Sequence, residues 1–272
     1  MRGHRKESPK ISPKDQYAMR AIEERVAWHT VVIDPSIKEM KWGTGTLLVF
    51  QNKKYLLTCE HVIGRFGGKY LHILYRHTKP LEYCENKEWT KHIPGALISK
   101  TFPMSIPIEN IYYGDEAEDL ALIEIKNSSD ITRDLEFYTL PDEQVAKANL
   151  RTKVFLTGFS QELSRIQSKG KVAFVGLFPY FYAGKIVRKV RPKKINYDAK
   201  RHFLVDYPLD SEAADPVGFS GAGIWSRKPS GTGNLWHPNI FLLGVQQSVS
   251  RPSQVLKATK IDRVYGILKS IK

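Results

Sequence analysis

The sequence predicts an all-β fold in which two β-barrels pack together, with a short helix near each end of the chain. Short runs of β-branched and aromatic residues occur in two groups, and turn-forming residues separate the runs. Little helical periodicity lies between the groups, which is typical of paired barrels. With 272 residues, the chain is long enough for one large all-β domain or two small fused barrels.

The chain begins with a basic tail and a helix. Residues 1–13 are polar and carry proline and serine, which predicts a disordered tail. From Pro13 through Val26, the spacing of apolar residues such as Ile22 predicts a short helix. We assign this helix and the first barrel to residues 14–133.

The first barrel is predicted from short runs that are rich in β-branched and aromatic residues. Turn formers such as Asp34-Pro35 and Gly67-Gly68 separate these runs. The predicted strands cover residues 28–33, 45–50, 54–58, 70–75 and 96–99, and the group ends with residues 119–125.

The second barrel and a closing helix are assigned to residues 134–272. Polar residues 126–133 form the predicted connection between the halves. The apolar spacing in residues 261–268 predicts the helix. The predicted strands of this half cover residues 154–158, 171–177, 203–207, 223–225 and 241–248.

Composition excludes several classes of protein. An apolar fraction of 42% and a charged fraction of 26% indicate a folded domain rather than a disordered chain. No run approaches the roughly 20 apolar residues that span a bilayer, and no apolar stretch follows the basic N-terminus. The two cysteines, Cys59 and Cys84, favour a reducing compartment, because secreted domains rely on several disulfides. We therefore expect a cytoplasmic protein with no membrane span.

A net charge of +14 implies attraction to acidic partners. Basic residues dominate the segment from Lys185 to Arg201, where Asp198 is the single acid. This segment has two interpretations: a nucleic-acid-binding patch, or a solvated β-ribbon whose charges point outward. The ribbon is favoured, because no aromatic stacking platform is interleaved with the basic run.

Three motifs carry candidate catalytic residues, in the chain order histidine, aspartate, serine. His61 ends the sequence Thr-Cys-Glu-His, which follows an apolar strand. Asp119 directly precedes the apolar run 120–123. Ser220 lies in the sequence Gly-Phe-Ser-Gly-Ala-Gly, which begins at Gly218. This order differs from the orders found in subtilisins and in α/β-hydrolases.

With these motifs, residues 40–250 resemble the trypsin-like serine peptidases, more closely the compact bacterial or HtrA-like members, and we expect the type without a PDZ domain. The segment from Trp42 to Val49 is similar to the small-residue turn and strand that precede the family's histidine. The resemblance implies two Greek-key barrels of the chymotrypsin type and a selective, intracellular serine endopeptidase. Its expected partners are a protein or peptide substrate and a regulatory protein.

The resemblance also implies a role for each residue. Ser220 attacks the peptide carbonyl, and His61 removes its proton, because a neutral imidazole is an effective base at neutral pH. Asp119 fixes the tautomer of the imidazole and stabilises the imidazolium. The backbone N–H groups of Gly218 and Ser220 form the oxyanion hole, where glycine tolerates the dihedrals that such a loop requires.

The chain departs from the family pattern at three positions beside these residues. Ala222 replaces the second glycine after the serine, which is a mild change. Phe219 stands where activated digestive relatives carry an acid that binds a newly cleaved N-terminus, so we expect no activation by that route. Glu60 adds a carboxylate directly before His61. Three other acids are rivals to Asp119, which is preferred because the apolar strand begins immediately after it: Asp115, Glu116 and Glu118.

Substrate specificity is also inferred from the resemblance. The base of the first specificity pocket corresponds to Ala214, which argues against a strict preference for lysine or arginine; a register shift of one residue would place Asp215 there instead. The strand that contains Gln247 should line the cleft and pair with the substrate backbone. Val249 stands where an open-pocket enzyme often has glycine, which favours a restricted pocket and a small residue before the cut.

A second functional hypothesis is an inert protease-fold module that binds a protein or nucleic acid through its basic surface. The presence of all four site residues (His61, Asp119, Gly218 and Ser220) argues against it. We expect no cofactor, and no metal site, because the cysteines and histidines lack ligand spacing.

Overall fold

The computed structural model describes most of the chain, and it is dominated by β-strands. The strands form two closed barrels, and the described part also holds helices near both ends. The described residues are 13–36, 41–64, 66–76, 101–127, 135–143, 147–163, 165–169, 172–176, 179–188, 195–209, 213–227 and 239–271.

Helix α1, Pro13–Trp28, precedes the first barrel and packs on strands of the second. Proline at the first position suits a helix start, since its missing N–H would have no intrahelical partner there. Ile22 and Val26 lie one turn apart on the same face and are both buried. The predicted helix is therefore confirmed, and residues 1–12 of the predicted tail lie outside the described residues.

Six antiparallel strands close the first barrel in the order β1-β2-β3-β6-β5-β4, within the described part of the chain. A further short strand, β7, Tyr138–Thr139, pairs in parallel with β2. The six strands are β1 Thr30–Ser36, β2 Lys41–Phe50, β3 Lys53–Thr58, β4 Tyr70–Arg76, β5 Thr101–Tyr113 and β6 Ala121–Ile125.

The second barrel repeats this strand order. Going round it, the strands follow one another as β8-β11-β12-β15-β14-β13, which is again first, second, third, sixth, fifth, fourth. Strands β9, Arg165–Lys169, and β10, Val172–Gly176, form a separate hairpin. The six barrel strands are β8 Lys153–Phe159, β11 Pro179–Val187, β12 His202–Asp206, β13 Gly223–Arg227, β14 Ile240–Ser250 and β15 Val255–Lys260.

Two further helices each follow a barrel strand. Helix α2, Glu60–Ile63, is a single turn that follows β3, and helix α3, Ile261–Ser270, follows β15 and closes the chain. Helix α3 buries Val264 and Leu268 on one face, as the apolar spacing of residues 261–268 predicts. The predicted all-β class, with paired barrels and terminal helices, is confirmed.

An apolar layer joins the barrels, and we call it the inter-barrel core. It brings together buried side chains of β2, β3 and β6 with those of β8, β13 and β14, and the faces of α1 and α3 cover it. Trp225 is fully buried in this layer. Because both barrels contribute to one continuous core, their mutual placement is fixed by packing. Members from the two barrels include Leu48, Tyr55, Leu57, Leu122, Phe155, Trp225, Leu242 and Val245.

The barrel strands β5, β11 and β15 were missed by the pattern of apolar runs, and the strand predicted at residues 171–177 for the second barrel lies instead in the β9–β10 hairpin. Strand β5 contains Pro103 and Pro107, which lower strand propensity. These prolines pair only with β4, because pairing with β6 begins at Ile108. Strand β15 carries Lys257, whose charge breaks the apolar run. The predicted strand at residues 96–99 lies outside the described residues.

The inter-barrel core encloses a buried histidine. His29 lies between α1 and β1, and its ring is 5.8 Å from that of Trp225 and 5.7 Å from that of Tyr138, measured between centroids. Its Nδ1 lies 3.1 Å from the carbonyl oxygen of Glu136, and its Nε2 has no partner within the described residues. Burial lowers the pKa of His29 to about 4, with the charge of Arg25 acting in the same direction.

This histidine should make the fold sensitive to acid. Below pH ~6.5 the unfolded chain takes up a proton at residue 29, whereas the folded chain does so only near its lowered pKa. Stability is therefore lost as the pH falls through this window, by about 2 kcal/mol between pH 7 and pH 5 for this group. Urea unfolding of the original chain and of His29→Gln at both pH values measures the difference.

The glutamine variant should lose about 2 kcal/mol less than the original chain on acidification. His202, whose pKa burial also lowers, is present in both proteins and cancels in the comparison. Equal losses in the two proteins would contradict the assignment.

Candidate active site

The end of β3 delivers His61 to the surface next to the inter-barrel core. Thr58 and Cys59 are fully buried, and the chain then turns into α2, where the imidazole of His61 is about half exposed. The thiol of Cys59 donates to the carbonyl of Gln246 on β14, at 3.2 Å. Burial raises the pKa of this thiol well above its usual value, so it is an uncharged core group.

Asp119 holds His61 through two hydrogen bonds and the neighbouring Glu60 through a third. Its Oδ2 lies 2.6 Å from Nδ1 of His61, and its Oδ1 accepts from the backbone N–H of His61 at 3.0 Å. Its carbonyl accepts from the N–H of Glu60 at 3.1 Å. Asp119 adopts φ of 48°, a left-handed conformation that aspartate tolerates better than most residues. These contacts fix both the ring and the start of α2.

The rival acids have other roles. Asp115 accepts from Arg201 at 2.8 Å and from two backbone N–H groups of its own turn. Glu118 is 4% exposed and pairs with Arg263 on α3. The preference for Asp119 over these neighbours therefore agrees with the contacts of its carboxylate.

Ser220 lies on the second barrel, in the turn before β13. Thr44 on β2 donates its N–H to the carbonyl of Ser220 at 2.8 Å and its hydroxyl to the carbonyl of Gly218 at 2.7 Å. The carbonyl of Thr44 in turn accepts from the hydroxyl of Thr58, three residues before His61. The serine loop is thus hydrogen-bonded to the strands that lead to the histidine.

The hydroxyl of Ser220 donates to the carbonyl of Gln247 at 3.3 Å. No hydrogen bond joins it to His61 among the described residues. The contacts therefore bring His61 and Asp119 together directly, and they connect Ser220 to that pair through Thr44 and Thr58.

The predicted oxyanion donors lie in a tight loop that requires glycine at position 218. Gly218 has φ of 98°, which only glycine adopts easily. The N–H of Phe219 donates to the carbonyl of Pro216 at 3.0 Å. Within the described residues, the N–H groups of Gly218 and Ser220 have no backbone acceptor.

The predicted specificity residues are in different surroundings. Ala214 is buried, and its carbonyl accepts from the hydroxyl of Tyr207 at 2.5 Å. The carboxylate of Asp215 forms an ion pair with Arg251, with contacts of 2.6 and 2.8 Å, so it is already neutralised. Val249 is partly buried against the apolar interior of the second barrel. Gln247 lines a cavity of about 460 Å³ together with His61 and other residues.

A buried lysine beside the pair was missed by sequence reasoning. Lys257 is 5% exposed, lines the same cavity as His61, and donates from Nζ to the carbonyl of Asn196 at 2.7 Å. Burial lowers its pKa, and the nearby Asp119 acts in the opposite direction. Nothing in the pattern of β15 distinguishes this lysine from an exposed one.

Cys59, His61 and Asp119 each offer a metal-ligand atom, and these atoms lie within 4.8 Å of one another. The thiol of Cys59 is protonated and donates to a carbonyl, and both oxygens of Asp119 accept from His61. A thiol must lose its proton to bind a metal, and burial opposes that loss here. The cluster therefore fits a His–Asp pair better than a metal site.

Comparison with known proteins assigns the chain to no family. No family model matches the chain, and no curated protein matches it significantly in sequence. Among the described residues, no helix is long and apolar enough to cross a membrane.

The basic segment from Lys185 to Arg201 is only partly described. Lys185 lies on β11 and pairs in the sheet with Lys153 on β8. Arg201 forms an ion pair with Asp115 at 2.8 Å, so it supports the loop next to Asp119. Residues 189–194 lie outside the described part of the chain.

The junction at Gly221 should not tolerate a side chain. Its φ is 92°, and a Cβ atom there would lie 1.9 Å from the carbonyl oxygen of Thr44 and 2.3 Å from the hydroxyl of Thr58. We expect Gly221→Ala to cost at least about 2 kcal/mol of unfolding free energy, because strain and overlap add. Denaturant unfolding measures this.

Gly266→Ala is the matched control. Gly266 lies in α3, and a Cβ atom there meets nothing within 4 Å, so alanine should stabilise the chain by about 0.5–1 kcal/mol. Equal effects of the two substitutions would show that the contact at Gly221 is not tight.

Proposed function

We propose that this chain is a serine endopeptidase that hydrolyses peptide bonds with Ser220, His61 and Asp119. The observation that carries the proposal is the 2.6 Å contact between His61 and Asp119 at the inter-barrel junction, to which the Ser220 loop is hydrogen-bonded. An acid, a half-exposed imidazole and a serine hydroxyl at one junction are the groups that acyl transfer requires.

The His–Asp contact determines which ring nitrogen acts. Oδ2 of Asp119 is an acceptor, so Nδ1 of His61 carries the proton and Nε2 is left as the base. Nε2 removes the proton of Ser220 during attack on the carbonyl carbon and later returns it to the departing amine. Asp119 stays ionised and stabilises the imidazolium that forms between these steps.

Substrate binding also prepares the nucleophile. The hydroxyl of Ser220 donates to the carbonyl of Gln247, so the proposed reaction requires a rotation about its Cα–Cβ bond that turns the hydroxyl toward the imidazole. A substrate N–H that binds the carbonyl of Gln247 would promote this rotation, because it takes up the acceptor. The N–H groups of Gly218 and Ser220 then bind the developing oxyanion.

The ion pair between Asp215 and Arg251 supports a restricted cleavage preference. A basic side chain before the cut would need a free carboxylate in the first specificity pocket, and that of Asp215 is engaged. Ala214 offers no charge. We therefore expect a small, uncharged residue before the scissile bond.

An inert binding module is the alternative function. The hydrogen bond from Ser220 to Gln247 instead of to His61 is the observation in its favour. The two functions differ in whether Ser220 is activated, which a covalent probe can measure.

Labelling by a serine-directed fluorophosphonate tests the proposal. Ser220→Ala should abolish labelling and lower peptide turnover by about 10⁴ to 10⁶-fold, since the nucleophile is lost while the fold remains. Ser105→Ala is the control, because Ser105 forms another surface contact with a histidine, 2.9 Å from Nδ1 of His72. Labelling that is absent from the folded original chain, or that persists in Ser220→Ala, would contradict the proposal.

Asp119→Asn tests the role of the acid. The asparagine amide would favour the wrong tautomer of His61, so the labelling rate should fall by about 10⁴-fold. Asp115→Asn is the matched control, because the one oxygen that accepts from Arg201 and from the N–H groups of Ala117 and Glu118 is kept in asparagine, so the loop stays in place. This variant should label within a few-fold of the original rate. Equal rates for Asp119→Asn and Asp115→Asn would assign no role to the pair.

A further inference from the structure

Two buried side chains of the second barrel hold the segment that leads to Asp119. We call this segment, residues 114–119 between β5 and β6, the acid loop. Thr259 on β15 donates its hydroxyl to the carbonyl of Glu118 at 2.8 Å. His202, which pairs with Thr259 in the sheet, has its Nε2 3.0 Å from the carbonyl of Ala117. The second barrel therefore binds two successive carbonyls of a loop that belongs to the first.

The partners of the His202 ring fix its tautomer. Its Nδ1 lies 3.0 Å from the backbone nitrogen of Asp198, and because an N–H group only donates, Nδ1 is the acceptor. The carbonyl of Ala117 only accepts, so Nε2 carries the hydrogen. The residue is 2% exposed. The ring is thus neutral, buried and partnered at both nitrogens.

A second proton on this ring is incompatible with these contacts. It would place a hydrogen on Nδ1, directly opposite the N–H of Asp198, so that two donors would face each other. A buried imidazolium without an acceptor is costly, so either the ring or the turn at Asp198 must move. Arg201 of the same turn is paired with Asp115 of the acid loop at 2.8 Å. Movement of the ring or of the turn therefore loosens the acid loop.

The surroundings of His202 oppose protonation at neutral pH. Burial lowers its pKa, and the charges of Lys257 and Arg201 act in the same direction, whereas the carbonyl of Ala117 and the charge of Asp198 oppose them. The ring therefore takes up a proton only below pH ~6.5, the usual pKa of histidine. The charged groups on the elements around the ring are Lys257 and Lys260 on β15, Asp198, Lys200 and Arg201 in the turn before β12, Asp206 on β12, and Asp115, Glu116, Glu118 and Asp119 in the acid loop.

We propose that His202 is a positioning residue for Asp119: its neutral ring holds the acid loop at Ala117, and proton uptake releases the loop and lowers the activity of the site. The effect on activity rests on the proposed peptidase function. Ala117 lies two residues before Asp119, whose carboxylate orients the His61 ring at 2.6 Å. A displacement of about 1 Å at such a contact is enough to slow catalysis strongly. His202 thus adds a second titrating group to the loss of His61 as a base in acid.

Nuclear magnetic resonance of the ¹⁵N-labelled full chain tests the contact without requiring turnover. Long-range correlations between ring protons and ring nitrogens should show His202 with a hydrogen on Nε2 and none on Nδ1 at pH 7.5. On acidification, the amide resonances of Ala117 and Glu118 should shift with the same midpoint as the His202 ring. A hydrogen on Nδ1 at pH 7.5, or loop resonances that follow only His61, would overturn the inference.

The pH profile of fluorophosphonate labelling tests the effect on the site. In His202→Gln the amide nitrogen can still donate to the carbonyl of Ala117, but the side chain takes up no proton. This variant should label within a few-fold of the original rate at pH 7.5. Between pH 7 and pH 5 the original chain should lose at least about threefold more of its rate than the variant does, because only the original chain protonates at residue 202.

Two further variants separate positioning from a general loss of structure. His202→Leu cannot donate to Ala117 and should label about tenfold more slowly than His202→Gln at pH 7.5. His72→Gln is the control, because it removes an exposed histidine whose Nδ1 meets Ser105 at 2.9 Å, and its pH profile should match that of the original chain. Equal losses of rate in the original chain and His202→Gln, or equal rates for the leucine and glutamine variants, would overturn the inference.

The outcome is separable from that of the proposed function. Labelling of Ser220 with the same pH profile in the original chain and in His202→Gln would retain the peptidase and remove the role of His202. The expected tautomer and loop titration without labelling of Ser220 would remove the peptidase, and with it the effect on activity, while the acid-sensitive contact at Ala117 would stand.

Discussion

The hydrogen bonds of Thr44 are the interaction on which the site depends. This fully buried residue on β2 donates to the carbonyls of Ser220 and Gly218, and its own carbonyl accepts from Thr58 on β3. One residue of the first barrel thereby fixes the loop of the second. The inter-barrel core excludes water around these bonds, which strengthens them. The site is precise because two separately closed barrels meet at polar contacts that leave no room for a side chain at Gly221.

The distribution of charge follows from the same junction. The loop before β6 carries four acids within five residues, and a run of like charges is unfavourable unless partners separate them. Arg201, directly before β12, and Arg263 on α3 neutralise Asp115 and Glu118, and these pairs support the loop that carries Asp119. The remaining acid, Glu116, is exposed and lines the cavity beside His61. Elements distant in sequence thus decide which acids of the loop are neutralised and which acid is left to orient the imidazole.

The sequence predicts the architecture and the pair His61–Asp119, because strand composition and the chain order of three motifs are local signals. It does not predict which neighbours neutralise each acid, since Arg201 and Arg263 lie more than eighty residues away from their partners. It also misses β15, because the sequence does not distinguish a buried lysine from an exposed one. In the structure the ammonium of Lys257 donates to the carbonyl of Asn196, which satisfies the buried charge. The contact of Ser220 with Gln247 is likewise set by side-chain rotation, which no motif encodes.

The overall charge of a chain and the charge of its site are separate properties. A net charge of +14 repels a cationic peptide only weakly when the two are farther apart than the Debye length of about 8 Å. Salt screens the repulsion beyond that distance. In the cavity beside His61, by contrast, charges act at contact distance, as Asp119 does on the ring nitrogen of His61 at 2.6 Å. Local geometry therefore outweighs the global sign. A basic surface would favour the approach of acidic regions of a partner, whereas the polar contacts around His61 act only on groups that enter the cavity.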